Sequence, residues 1–244
     1  MEITWRAVVG RRMRRHFLAE PADSGVDAVR AMCGAHAQIA AAGEVSLALR
    51  VAGATRETVQ SDDGLVKTFG PRGTVHLLAL DDLPLWTGAL SALPSGSGQP
   101  APIRMTAEET AQVVAAIGDA LAHDDLTVDE LTEEVVRRTG AWAREPTIPA
   151  FQGAWARWRQ AISDAANAGV LCFGPMRGRN TTYSNPHRLK PFEPMPSEKA
   201  LTELLHRYLY SYGPATPQQF ARWLKTTTNV VKPYFDDLPQ VELE

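Results

Sequence analysis

Several features that would narrow a function quickly are scarce in this sequence. Its 244 residues include only two cysteines, Cys33 and Cys172, far apart. One distant pair makes no disulfide framework, and no Cys-x-x-Cys spacing offers a metal site. Both read as small buried hydrophobes of a reducing compartment. Long apolar runs are also missing. No stretch approaches the roughly 18 uninterrupted apolar residues of a membrane span, and the N-terminus, Met-Glu-Ile-Thr-Trp, lacks the apolar run of a signal peptide. A cytoplasmic protein with no membrane partner is expected. The six histidines are scattered, with no pair at ligand spacing and no His-Glu-x-x-His, so no metal and no other cofactor is expected. Gly-x-Ser-x-Gly, Walker and Rossmann glycine patterns are absent. So is an excess of positive charge: the formal net charge is −3.

What is present points to a packed chain. Apolar residues make up 44% and charged residues 22%, ordinary globular usage and enough for a sizeable core. The length allows two ordinary domains or one larger composite. The charge is unevenly spread. Acids gather at Glu108-Glu109 and from Asp124 to Glu134, bases from Arg11 to Arg15 and from Arg177 to Lys190. Local clustering of this kind, more than net charge, governs phosphate binding.

The hydrophobic pattern repeats one theme, a few short helices followed by a hairpin. Trp5, Val8, Val9, Met13 and Phe17 form one helical stripe. A second helix runs from about Asp27 to Gly34, and a third from about Glu44 to Val51. Residues 65–69, the turn Gly70-Pro71-Arg72-Gly73 and residues 74–78 then read as strand, tight turn, strand. Residues 93–104 form the best linker. Capping boxes at Thr106/Glu109 and Thr127/Glu130 open two helices, the second stopped by Gly140. A longer helix is predicted over 152–168, before a second hairpin over 170–184. A third round starts at Ser197, with Thr216-Pro217-Gln218-Gln219 as another capping box and a recognition-helix candidate at 230–238. Residues 241–244 resemble the first strand of a further wing, which suggests a fragment of a longer protein. The fold class expected is mainly α with small β-hairpins, arranged as tandem winged-helix units over residues 1–98, 99–192 and, incomplete, 193–244.

That architecture makes double-stranded DNA the expected partner. A wing can lie along phosphates, and arginines at its tip supply bidentate charge. The hairpin carrying Arg177, Arg179 and Thr181 is the strongest such feature; an exposed basic turn on an unrelated domain is the alternative. Arg11 and Arg15 could contact phosphate or simply line a solvated helix face. Arg72 lies in the first hairpin's turn and His76 on the strand after it, where His76 either reaches DNA or is a hydrogen-bonded buried histidine. Trp155, Trp158, Phe220 and Trp223 read as core. The sharper site is Gly34-Ala35-His36-Ala37-Gln38. Residues two apart share a side only if the chain is extended. His36 then offers a base or donor and Gln38 a water-orienting amide, although most His-x-Gln pairs have no such role.

Three passages carry a family resemblance: Met32-Cys33-Gly34-Ala35-His36-Ala37-Gln38, Arg72-Gly73-Thr74-Val75-His76-Leu77-Leu78, and Tyr208-Leu209 through Tyr212-Gly213-Pro214-Ala215-Thr216-Pro217 to Phe220-Ala221-Arg222-Trp223. They resemble the winged-helix family that includes the AlkZ-type bacterial DNA glycosylases, which act on alkylated or crosslinked purines. The resemblance implies tandem winged helices on damaged DNA, members longer than this chain, and a Gln-x-Gln or Gln-x-Asp catalytic motif. Carried over by position, the second glutamine falls on Gln38 and the first on His36, so this sequence departs from the motif at one place. Alkylation at N7 makes a purine a good leaving group, so a placed water suffices as nucleophile; no lysine lies near the motif to replace it. His36 could take the water's proton, or hydrogen-bond the water without full transfer, while Gln38 orients it. A non-catalytic winged-helix regulator, or a scaffold without DNA binding, remain the alternatives from the residues alone.

Overall fold

The computed structural model describes residues 2–94, 99–149, 153–236, 238–239 and 241–243. In chain order the elements are β1 (Glu2–Ile3), α1 (Trp5–Arg15), α2 (Gly25–Ala31), β2 (Ala35–His36), α3 (Ala40–Ala48), α4 (Arg56–Gln60), β3 (Leu65–Phe69), β4 (Val75–Ala79) and α5 (Leu83–Ser91). They continue with α6 (Ala107–Ala120), β5 (Leu126–Thr127), α7 (Val128–Thr139), β6 (Pro146–Pro149), β7 (Ala154–Ala156), α8 (Ile162–Asn167), β8 (Cys172–Phe173) and β9 (Thr182–Ser184). The last are α9 (Ser197–Tyr212), α10 (Pro217–Leu224), α11 (Thr228–Val231) and β10 (Glu242–Leu243). The chain is mainly helical with small sheets, as the patterning predicts. Two compact units result, one from residues 1–93 with 194–244, the other from residues 94–193.

In the first unit a three-stranded sheet has the order β2-β4-β3. Buried Ala28, Val29, Met32, Ala35, Leu47, Val59 and Ala79 form its core beneath α2 and α3. Helix α9 buries Ala200, Leu201, Leu204, Leu205 and Tyr208, the inward face expected of a 3.6-residue period. Helix α1 departs from its pattern. Of its apolar stripe only Val8 is buried, while Trp5, Val9 and Met13 are about half exposed. Polar groups hold it instead. Arg12 donates to the carbonyl of Tyr212, Arg15 to that of Tyr210 at 2.7 Å, and His16 Nε2 lies 3.0 Å from that of Ser211. These are the carbonyls a helix leaves unpaired at its C-terminus, where the dipole also favours cations.

The second unit repeats the sheet order, as β5-β9-β8. Ile117, Leu121, Leu131, Val135, Trp158 and Leu171 are fully buried in it, and the Trp158 indole N–H donates to Thr132 Oγ1 at 3.0 Å. Both capping boxes form here as read, at Thr106/Glu109 and Thr127/Glu130. The long helix predicted over 152–168 does not. Its first residue lies outside the described residues, and Ala154–Ala156 pairs as a strand with Pro146–Pro149. Arg157–Ala161 then forms a 3-10 turn before the short α8. The ladder with the proline-flanked strand outcompetes the helix, and the Arg157 N–H goes to the Glu145 carbonyl at 2.8 Å. Two further expectations change in the first unit. The recognition-helix candidate at 230–238 is reduced to the end of α11 and a 3-10 turn over Lys232–Phe235; Asp237 lies outside the described residues. The strand read at 241–244 exists as β10, but it pairs in parallel with β1 instead of opening a wing; Glu244 lies outside the described residues.

Candidate functional site

The first candidate face begins where α2 ends. The Gly34 N–H donates to the Val29 carbonyl at 2.7 Å and the Cys33 N–H to that of Arg30 at 3.2 Å, the paired bonds of a Schellman stop. Cys33 and Gly34 both adopt positive φ, 53° and 94°. Cys33 tolerates this with its buried thiol 3.3 Å from the Ser211 hydroxyl; burial raises that thiol to about 11, so it is no nucleophile. The stop throws the chain into β2, Ala35–His36, which continues through Ala37 into a bend at Gln38. Ala35 and Ala37 are buried, whereas His36 and Gln38 are exposed, so the alternation of a strand puts both candidate side chains on the open side.

The adjoining strand β4 fixes both. His36 pairs with His76 across the ladder, and their rings meet edge to face with centroids 5.4 Å apart. The Ala37 N–H donates to the Val75 carbonyl at 2.8 Å, and the Val75 N–H returns a bond to Gln38 Oε1 at 3.1 Å. Because a backbone N–H only donates, the amide oxygen of Gln38 must face β4, which leaves its NH2 hydrogens outward. His76 is only 4% exposed, so it does not project toward a ligand as one expectation had it. Its Nδ1–H donates to the Thr74 carbonyl at 2.8 Å. Burial pushes its pKa from 6.5 down to about 4, against the help of that hydrogen bond and with small contributions from His36 and Arg72. The imidazole is therefore neutral near pH 7.

Arg72 stands at the tip of the β3–β4 turn in the left-handed region, φ 65° and ψ 6°. A non-glycine residue there costs about 1–2 kcal/mol, and such strain gathers at functional turns. Its side chain is exposed and, among the described residues, makes no hydrogen bond or ion pair.

The second unit's hairpin differs. Arg177 donates to both Glu130 carboxylate oxygens at 2.7 and 2.8 Å and to the Asp125 carbonyl at 2.5 Å. The Thr127 backbone N–H, then the Thr127 hydroxyl and Arg177, hold the Glu130 carboxylate below its usual range. Arg179 is exposed at the same tip without a partner among the described residues, and Thr181 Oγ1 lies 3.8 Å from Met176 Sδ. Of the α1 arginines, Arg15 is spent on the end of α9 and stacks 4.0 Å over the Tyr210 ring. Arg11 is half-buried, with a buried Nε that has no partner. The structure thus brings His36, Gln38 and His76 together and ties up Arg15 and Arg177. Sequence reasoning missed Glu130 as the partner of Arg177. The acidic run 124–134 was the available signal. It also missed Asp82, which binds Arg30 at 3.1 Å and Arg207 at 2.8 Å. No cluster of three metal-ligating side chains occurs among the described residues, and none of their helices is long and apolar enough to cross a membrane.

Residues 29–244 match the model of the family described as DNA glycosylase AlkZ-like. The chain belongs to the AlkZ-like DNA glycosylase family. A relative from Streptomyces sahachiroi named interstrand DNA cross-link repair glycosylase is 33% identical, over all of this chain and 68% of the relative. The solved structure of the Streptomyces sahachiroi DNA glycosylase AlkZ superposes with a TM-score of 0.85 at 28% identity, again covering all of this chain and 68% of that one. The matched region of the family model includes β2, the β3–β4 hairpin and the whole second unit.

Proposed function

We propose that this chain is a DNA glycosylase that hydrolyses the N-glycosidic bond of alkylated or crosslinked purines in double-stranded DNA, with water handled by His36 and Gln38. The observation that carries this reading is the pair itself: an imidazole on the short edge strand β2 and, two residues further along the chain, an exposed amide whose NH2 points outward. The roles divide by hydrogen-bonding capacity. Gln38, its oxygen occupied by β4, donates to the water oxygen and steers it. His36 supplies the lone pair that takes the proton. As the water oxygen bonds to C1′, the bond from C1′ to the purine breaks. Its electron pair leaves with the base and discharges the cation that alkylation created. Positioning supplies much of the rate, since so good a leaving group needs little push.

The DNA contacts follow from the free cations. Arg72 lies along phosphate beside the reacting sugar. Arg179, with Thr181, serves the second hairpin, where Arg177 joins once it leaves Glu130; Arg11 adds charge at α1. We further infer that the units are tandem winged helices. In support, each three-stranded sheet pairs an early strand with the second strand of a hairpin, whose first strand lies outermost. The test is incubation with a duplex bearing N7-methylguanine, a duplex crosslinked through purine N7 and an unmodified duplex, followed by counting of abasic sites. Abasic sites on modified DNA alone, lost in His36→Ala and Gln38→Ala, are expected. Tight sequence-selective binding without product would replace the enzyme with a regulator.

A further inference from the structure

We propose that His76 is a positioning residue for His36: a buried, immobile imidazole that holds its exposed cross-strand neighbour in the orientation needed to receive the water's proton. The proposal rests on the glycosylase reading above and assigns His76 a role inside the protein instead of on DNA.

The need for such a residue comes from the strand itself. β2 is two residues long and lies at the sheet's edge. An exposed side chain in such a place samples several rotamers, and a base must hold one of them at the moment of transfer. His76 restricts that choice. The two rings stand at an interplanar angle of 83° with centroids 5.4 Å apart, within the favoured edge-to-face range.

His76 can act as a fixed wall because it cannot turn. The Thr74 carbonyl, which only accepts, fixes a proton on Nδ1. Gly70 and Gly34 flank the ring. A Cβ at Gly70 would lie 2.9 Å from Nδ1, and one at Gly34 would lie 3.4 Å from Cδ2. Both glycines therefore let backbone close on the imidazole. A neutral His76 also places no second cation against His36 when His36 takes its proton. Arg72, at the turn, is the charged side chain that acts on His76 besides His36.

The experiment measures single-turnover release of N7-methylguanine from a duplex, with the Kd for the same DNA and the thermal midpoint measured in parallel. His76→Asn keeps a donor for the Thr74 carbonyl and removes the ring. Gly70→Ala keeps the ring and displaces it. Each is expected to slow the single-turnover rate by about tenfold to a hundredfold, the scale of a misplacement near 1 Å, with Kd unchanged. In a His36→Ala background neither is expected to slow it further, because a residue that acts through His36 has nothing left to position. The same fractional loss in both backgrounds, a loss confined to Kd, or a full rate in both variants would each overturn the proposal. A normal rate in His36→Ala would refute the proton-accepting role of His36 and this proposal with it. A slowed His36→Ala beside a normal His76→Asn would refute this proposal alone. In the unaltered protein, cross-relaxation between the two imidazole rings is required, and its absence would also end the proposal.

Discussion

The two units build sheets of the same order and close them with similar turns, yet they present different side chains beside those turns. Gly70-Pro71-Arg72-Gly73 closes the first hairpin and Gly174-Pro175-Met176-Arg177-Gly178 the second. In the first unit the early strand β2 carries His36 and runs on to Gln38, and α3 then begins at Ala40 with no acid in its first turn. In the second, the early strand β5 ends at Thr127, the cap of α7, whose first turn holds Asp129 and Glu130. Glu130 both completes the capping box and neutralises Arg177. Whether the arginine of such a turn is paired or left free thus depends on the helix that follows the neighbouring strand. The α3 start leaves Arg72 unpaired, and the α7 start claims Arg177.

The contrast between the units has measurable consequences. The largest effect is expected in chemistry. His36→Ala should slow base release by about 10²–10⁴-fold, the usual worth of a general base, whereas Thr127→Ala, at the matching strand of the second unit, should leave the rate within a fewfold. Single-turnover assays on N7-methylguanine DNA decide this. Next comes acid. His76 stays neutral down to about pH 4, while the same side chain unfolded protonates near 6.5. The unfolded chain therefore binds the extra proton, and the first unit loses stability as pH falls from 6.5 to 4, by about 3 kcal/mol at 1.36 kcal/mol per pH unit. Hydrogen exchange should show β4 amides losing protection across that window more than β9 amides do, and His76→Asn should abolish the difference. Equal loss in both strands would remove His76 as the cause.

A smaller effect separates the arginines. Arg72→Ala should weaken DNA binding several-fold and reduce the salt slope by about 0.9, the value of one phosphate contact. Arg177→Ala should do less, because Glu130 already claims that guanidinium. The smallest effect is the inverse one. Glu130→Gln should strengthen binding by about two- to threefold, in keeping with the modest worth of an exposed ion pair. Fluorescence anisotropy at several salt concentrations measures all three, and equal losses for Arg72→Ala and Arg177→Ala would erase the proposed distinction.

Much of this was legible in the residues because it is local. The capping boxes at Thr106, Thr127 and Thr216 form helices where their Thr-x-x-Glu/Gln spacing puts them. The turn at 70–73 lies between its predicted strands, and the alternation of Ala35, His36, Ala37 and Gln38 was readable once the stretch was taken as extended. What sequence reading missed depends on long-range partners. Nothing in Trp5, Val9 and Met13 says that α1 is held by arginines on carbonyls some 200 residues away. Nothing in residues 152–168 says that a strand partner waits at 146–149. The state of Arg177 required Glu130, 47 positions earlier, and the burial of His76 required two glycines and a carbonyl around it. The His-x-Gln spacing alone could not separate a paired site from a chance pair; the ladder to β4 supplies the geometry.

The position of a bound lesion decides whether His36 and Gln38 act on it. A structure of the chain on a duplex holding a stable analogue of the oxocarbenium-like sugar should place C1′ against His36 and Gln38, with Arg72 on the adjoining phosphates and the Gln38 oxygen still bonded to Val75. A lesion sugar seated instead over the β8–β9 hairpin, or a Gln38 side chain turned away from the sugar, would contradict it.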